Sequence, residues 1–338
     1  MNRLNRMKHL DVAVLGDGGW GTTLSILLQR KGHRITLWGA FSENVSRMRK
    51  HRRNDKFLPG VNIPARIEIT GDLKSAVGEK TLIIFAIPSQ YLRGVLKKIK
   101  NFSFPEQAIF LSVTKGIEGG TLKRMSQVIH EELGRVKLAV LSGPTIAREV
   151  AHQLPTTAVI AARDVSLRKY LQDIFATERF RVYTNADVAG VELGGSLKNI
   201  IAIACGISDG LEFGTNTKAA ILSRGLAEIS RLGRAMGANA GTFSGLSGLG
   251  DLVTTCVSPY SRNRYVGEQI GRGKSLRQIQ GGMQMVAEGV PTAKSAYALS
   301  LRYKVDMPIT REVYRVLFKN KSPLAAVKEL MNRQKKEE

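Results

Sequence analysis

The chain has 338 residues, long enough for two domains, with 51 Lys and Arg against 28 Asp and Glu, a net charge of +23 and 43% hydrophobic residues. The basic residues are spread along the whole sequence and form no nucleic-acid module, so the charge reads as a solvated surface that attracts anionic small molecules, not nucleic acid. No apolar stretch approaches the roughly 20 residues of a membrane span, stretch 1–10 is polar and basic, and Cys205 and Cys256 lie outside any Cys-x-x-Cys pair, so a cytoplasmic, zinc-free protein is expected.

In chain order, strands are expected at Asp11–Leu15, Arg34–Trp38, 66–70, 81–86, 108–113, 138–141, 157–161 and 180–184. Helix-like segments such as 20–30, 89–100 and 122–133 lie between most of them. Such alternation implies an α/β fold with a doubly wound, mainly parallel sheet covered on both faces. After Asn185 helical patterns follow one another, at about 188–207, 216–236, 262–271, 286–303 and 310–318, with no convincing strand. The expected division is therefore a sheet domain over 1–185 and an all-α domain over 186–338, with 333–338 a frayed tail.

Gly16-Asp17-Gly18-Gly19-Trp20-Gly21 follows the first strand and opens the first helix, the context in which G-x-G-x-x-G carries meaning. Gly16 permits the turn, Gly18 lets backbone approach a pyrophosphate, and Gly21 lets helix and strand pack closely. The helix N-terminus adds N–H groups and the positive end of its dipole. These features predict a Rossmann-type site for NAD or NADP. The second strand ends Trp38-Gly39-Ala40, without the acid that holds an NAD ribose, and Arg47, Arg49 and Lys50 follow, so NADP is permitted.

Three further segments sit at strand ends on the carboxyl edge of the expected sheet: Pro88-Ser89-Gln90, Thr114-Lys115-Gly116 and Ser142-Gly143-Pro144-Thr145. Ligands of open α/β folds bind at that edge. In the helical half, Lys198 and Asn199 stand in an apolar run of small and branched residues, one turn after Gly194 and Gly195. A lysine there either is buried with acidic or anionic company or snorkels its ammonium to the surface. Gly245-Leu-Ser-Gly248-Leu-Gly250-Asp251 reads as flexible backbone that sets an acid close to Thr255, and Asp251 either meets that lysine or caps a helix. Ser261-Arg262-Asn263-Arg264 starts a helix after Pro259, which suits bidentate recognition of phosphate. All five histidines precede residue 186, so Lys198 is the natural proton carrier from the helical side.

Together these segments resemble the bacterial-type NAD(P)-dependent glycerol-3-phosphate dehydrogenases, from Val12 to beyond Glu312. The motifs that carry the resemblance are Gly-Gly-Trp-Gly-Thr at 18–22, Phe-Leu-Pro-Gly at 57–60, Thr-Lys-Gly at 114–116 and Ser-Gly-Pro-Thr at 142–145. Glu-Leu-Gly-Gly-Ser-Leu-Lys-Asn at 192–199, Gly-Leu-Gly-Asp-Leu at 248–252, Ser-Arg-Asn-Arg at 261–264 and Val-Ala-Glu-Gly at 286–289 complete it. The resemblance implies reversible hydride transfer between NAD(P)H and dihydroxyacetone phosphate, giving sn-glycerol 3-phosphate for phospholipid synthesis, in a homodimer. It implies Lys198 as the catalytic acid/base. Substrate contacts are expected from Lys115, Gly143, Thr145, Asn199, Asp251, Thr255, Ser261, Arg262 and Asn263. Cofactor contacts are expected from Gly16, Gly18, Gly19, Trp20, Gly21, Lys115, Ala147, Arg262, Val286 and Glu288, with no metal. Two positions depart from the family pattern: Asp17, an acid near the pyrophosphate, and Pro291, near the adenine ribose. The same architecture also suits reduction of another 2-keto or 3-hydroxy acid. A cofactor-sensing or nucleic-acid-associated protein without turnover is a third reading, and it leaves Lys198 unexplained.

Overall fold

The structure is a computed structural model that describes residues 9–335 and 337; the remaining residues of the basic N-terminal stretch and of the tail lie outside the described residues. The first half runs β1 (Asp11–Leu15), α1 (Gly19–Arg30), β2 (Arg34–Trp38), α2 (Ser42–His51), β3 (Arg53–Asn54), β4 (Leu58–Asn62), β5 (Glu68–Thr70) and α3 (Leu73–Val77). It continues with β6 (Leu82–Phe85), α4 (Ser89–Ile99), β7 (Ile109–Ser112), α5 (Met125–Leu133), β8 (Lys137–Ser142), α6 (Ala147–Ala151), β9 (Thr156–Ala161), α7 (Val165–Phe175) and β10 (Phe180–Asn185).

Eight strands form one sheet in the order β10-β9-β8-β7-β6-β1-β2-β5, parallel except where β8 meets β9. The central strands, β1 and β6 among them, are buried on both faces and read as continuous apolar runs, whereas edge strand β10 alternates. Val12 and Val14 enter one apolar layer, while Ala13 and Leu15 enter the other. From β1 the chain winds outward through β2 to β5 and then returns to β6 on the other side of β1. That reversal opens a crevice at the carboxyl ends of β1 and β6, where doubly wound sheets bind ligands. The short β3–β4 pair is a separate antiparallel hairpin that the periodicity did not suggest. Its strands are too short to show alternation, and Pro59-Gly60 sits inside the second.

The second half is helical: α8 (Val188–Gly210), α9 (Thr215–Ala235), α10 (Ala240–Phe243), a π-helical turn (Leu246–Gly250), α11 (Asp251–Val257), α12 (Arg262–Gly271), α13 (Leu276–Gly281), α14 (Gly289–Arg302), α15 (Pro308–Phe318) and α16 (Pro323–Met331). Asp187 caps α8 by accepting from Gly190 N at 2.8 Å, and residues 190–208 are all buried beneath α9, α11, α12 and α14. Contrary to the expectation from composition, α8 is long and apolar enough to cross a membrane, yet 89% of its apolar window is buried inside the protein. It is the core helix of the bundle.

The crossing of α8 and α12 depends on glycine. A Cβ on Gly206 would stand 2.0 Å from Arg264 O, and one on Gly267 would stand 2.0 Å from Ile203 O. The two backbones therefore touch, which fixes the start of α12 against the middle of α8. The glycine-rich segment at 245–250, read from sequence as flexible backbone, is instead the π-helical turn leading into α11. Such turns are rare and occur often at functional sites.

Candidate active site

Lys198 is 5% exposed, so the buried alternative holds and the snorkelling one does not. Its Nζ donates to Asp251 Oδ1 and Thr255 Oγ1. Thr255 Oγ1 in turn donates to Asp251 O at 2.7 Å, one helical turn back along α11. From the sheet side, Lys115 Nζ reaches Asp251 Oδ2 at 2.7 Å, Gly143 O at 2.9 Å and Thr145 Oγ1 at 3.3 Å. One carboxylate thus bridges two ammonium groups, one from each half of the chain, and the cluster is one charge positive. Burial pushes the Lys198 ammonium down to about 8; Asp251 works against that fall and Lys115 adds to it. A lysine in that range exchanges a proton near neutral pH.

Gly194 and Gly195 admit this arrangement, though not by leaving empty space in front of the lysine. A Cβ on Gly195 would meet Ser142 Oγ at 2.4 Å and lie 3.6 Å from the Lys115 stem, and one on Gly194 would meet Ser247 O at 2.5 Å. The strand-end loop and the π-helical turn can therefore rest directly on α8. Among the described residues no group of three or more His, Cys, Asp or Glu is placed to hold a metal ion.

A second group lies around the start of α12. Ser261 caps that helix, accepting from Arg264 N at 3.2 Å, and Asn263 Oδ1 accepts from Gly289 N at 2.8 Å. Both side chains thus hold backbone. Asn199 is buried, and its carbonyl lies where a Gly289 Cβ would approach it to 2.7 Å. Arg262 Nη1 donates to Val286 O at 2.7 Å. Glu288 reaches across to the sheet domain, accepting from Ser89 N at 2.8 Å and from Ser89 Oγ. A Cβ on Gly116 would stand 2.3 Å from Ser89 Oγ and 2.9 Å from Glu288 Oε2, so this group adjoins Lys115 through the loop 114–116.

The third group is the turn after β1. Gly16 has φ of +119°, and a Cβ there would stand 2.4 Å from Ala86 O at the end of β6. A Cβ on Gly21 would strike Gly16 O at 1.9 Å, whereas Gly18 faces open space, as close approach of a pyrophosphate requires. The first turn of α1 holds no acid and its N-cap no side-chain bond, which leaves its N–H groups to an anion. Gly19 abuts Phe57 O and Ala147, Trp20 packs on the sheet core, and Thr23 Oγ1 donates to Ala147 O at 3.1 Å. These residues fit a dinucleotide.

Sequence reasoning missed Asn44 and Asn54. Asn54 Nδ2 donates to Asp17 O at 2.6 Å and Thr22 Oγ1 at 2.8 Å, tying the β3–β4 hairpin to the turn. Asn44 Nδ2 donates to Asp17 Oδ2 at 2.6 Å, so the Asp17 carboxylate is hydrogen-bonded by an amide rather than by a basic side chain. Short polar residues in helices and hairpins give no sequence signal for such long-range roles. A cavity of about 380 Å³ bounded by Thr23, Arg30, Lys31, Val150, Leu154 and Phe180 includes no member of the lysine cluster.

A glycine turn at the switch point of a doubly wound sheet, facing a buried lysine from a helical domain, defines a dinucleotide-dependent oxidoreductase of two-part design. Comparison narrows the class. Residues 11–168 match the N-terminal domain of NAD-dependent glycerol-3-phosphate dehydrogenase and residues 187–328 match its C-terminal domain. The chain belongs to that family. It is 50% identical over 330 residues to the glycerol-3-phosphate dehydrogenase [NAD(P)+] of Citrifermentans bemidjiense, covering 97% of this chain and 98% of that one. The corresponding enzyme of Pelotomaculum thermopropionicum is also 50% identical, with 97% and 94% covered. The crystal structure of glycerol-3-phosphate dehydrogenase from Coxiella burnetii superposes with a TM-score of 0.93 at 38% identity, covering 96% of this chain and 99% of that one.

Proposed function

We propose that this protein transfers hydride reversibly between NAD(P)H and dihydroxyacetone phosphate, yielding sn-glycerol 3-phosphate for phospholipid synthesis. The observation that carries the reading is the Lys198–Asp251–Lys115 cluster, buried where the carboxyl edge of the sheet meets α8 and α11. Residues 1–185 bind the dinucleotide and residues 186–338 supply the acid/base and most of the substrate contacts. The working form is a cytoplasmic homodimer.

The bound dihydronicotinamide supplies the hydride that adds to the carbonyl carbon. As the C=O π bond breaks, negative charge builds on oxygen, and the Lys198 ammonium beside it stabilises that charge and delivers the proton. Asp251 and Thr255 hold the ammonium in place, and Asp251 offsets part of the cost of its burial. In the reverse direction neutral Lys198 takes the hydroxyl proton as hydride leaves carbon. Lys115 and the α12 start, with Arg262 foremost, receive the phosphate: a planar fork spans two oxygens, and the helix dipole favours the anion. Ser261 and Asn263 act mainly by fixing that helix start.

The test is oxidation of NADH and NADPH by the purified protein with dihydroxyacetone phosphate, dihydroxyacetone and a set of 2-keto acids. Rapid turnover only with the phosphorylated ketone is expected. Turnover confined to a 2-keto acid would replace the substrate assignment, and binding of dinucleotide without any turnover would favour a sensor. Arg262→Ala should raise KM sharply for the phosphorylated ketone and hardly change the slow reaction of dihydroxyacetone.

A further inference from the structure

The end of β2 is where a dinucleotide-binding fold ordinarily places the acid that accepts hydrogen bonds from the adenosine ribose. In this chain Trp38-Gly39-Ala40 carries none. The place is nevertheless acidic. Asp17, inside the glycine turn, is 6% exposed, and its carboxylate lies directly against Gly39: a Cβ there would stand 2.6 Å from Asp17 Oδ2 and 2.7 Å from its Cγ. The turn itself is tied to the same strand end, since Gly16 N donates to Trp38 O at 3.0 Å. Asn44, in the first turn of α2, fixes Oδ2 at 2.6 Å, and Asn54 fixes the Asp17 carbonyl at 2.6 Å. Residue 39 must be glycine for this carboxylate to fit. Strand end and turn are thus built around an acid delivered from the loop, with Oδ1 left as acceptor.

The basic residues that follow direct their hydrogen bonds to neutral acceptors and not to this carboxylate. Arg49 Nε is spent on Ile69 O at 2.6 Å, Arg52 on Pro64 O and on Ile67 O at 2.8 Å, and Arg53 on Asn62 Oδ1 at 2.9 Å. Arg47 and Lys50 are exposed in the second half of α2. Lys56 is the near cation, resting over the rings of Phe41 and Phe57. Its charge partly counters the burial that pushes the Asp17 carboxyl up.

We propose that Asp17 replaces the missing strand-end acid, accepting from the ribose hydroxyls of NADH and repelling the 2′-phosphate of NADPH. This rests on the dehydrogenase reading and narrows it to one preferred cofactor. A carboxylate and a phosphate held in contact, sheltered from solvent, repel strongly, whereas a carboxylate and two hydroxyls attract.

The experiment is direct titration of the purified protein with NADH and with NADPH, followed by nicotinamide fluorescence, for the native chain, Asp17→Asn and Asp17→Ala. The native chain should bind NADH at least about tenfold more tightly, about 1.4 kcal/mol. Both variants should bind NADH more weakly and NADPH more tightly, narrowing the ratio by about tenfold. A general loosening of the turn would weaken both dinucleotides together, and that result overturns the proposal, as does a native chain with equal affinities. Asp17→Asn keeps an oxygen for Asn44, so it tests the charge if Asp17→Ala fails to fold. Failure of both dinucleotides to bind the native chain would overturn the cofactor reading itself.

Discussion

Replacing Lys198 with Met separates catalysis from stability, because the structure sets two opposed energies on that side chain. Bringing the ammonium from its ordinary 10.5 down to about 8 corresponds to a net cost of roughly 3 kcal/mol at neutral pH, burial being partly offset by Asp251. Met removes that cost and fills most of the same volume. It also takes one cation from Asp251, a loss of about 3–5 kcal/mol if the carboxylate were left alone. Asp251 is not left alone, since Lys115 stays at 2.7 Å. Met therefore removes a net cost without leaving the carboxylate unpaired, so Tm should not fall by more than a few degrees below the native value. Turnover with dihydroxyacetone phosphate should nevertheless fall by about 10² or more, the usual share of a general acid. Dinucleotide titration should be unchanged, because Lys198 is assigned to the substrate and not to the cofactor. The assays are steady-state NADH oxidation, thermal unfolding and fluorescence titration on the same preparation. Near-normal turnover in Lys198→Met would remove the lysine from the mechanism, and lost activity together with a collapsed Tm would make its role structural.

The same lysine sets the pH dependence. Ketone reduction needs the ammonium and should fall as pH rises through about 8, whereas alcohol oxidation needs the neutral amine and should rise over that range, read from kcat–pH profiles in both directions. Gly267→Ala should destabilise by about 1–3 kcal/mol, because the added methyl would sit 2.0 Å from Ile203 O. By parting α12 from α8 it should also raise KM for the phosphorylated substrate more than it weakens dinucleotide binding. Buried Glu228 accepts from Ile309 N, and from Thr310 N at 3.0 Å, at the start of α15; burial raises it to about 7. Its folded form holds a proton that the unfolded chain has released, so the stability this provides is full below about 4.5, the model-compound value, and is lost as pH rises through about 7. Glu228→Gln should flatten that part of a Tm-against-pH curve, and an unchanged slope would refute the assignment.

The sequence by itself determined the elements whose physics is local. Parallel strands buried on both faces announce themselves as apolar runs, and the turn at 16–21 carries its own backbone requirement in its glycines. The long apolar run around Lys198 marked a lysine that is either buried with an anion or snorkels to the surface, and only its burial in the fold decided between them. Local pattern was silent where a residue's role depends on what arrives from far along the chain. The β3–β4 hairpin is too short for periodicity, and the glycines at 245–250 looked flexible until their packing on Gly194 and Phe243 made them a π-helical turn. Which carboxylate answers Lys198, and that Lys115 takes its other oxygen, was decided only when sheet edge and helical bundle met over Asp251. The strand end without an acid, followed by basic residues, read as a site that permits NADP; tertiary structure placed a carboxylate there from a loop more than twenty positions earlier. Sequence specifies which groups are present and how the backbone bends locally, but a charge acts at the point in space its carrier reaches, and folding alone sets that point.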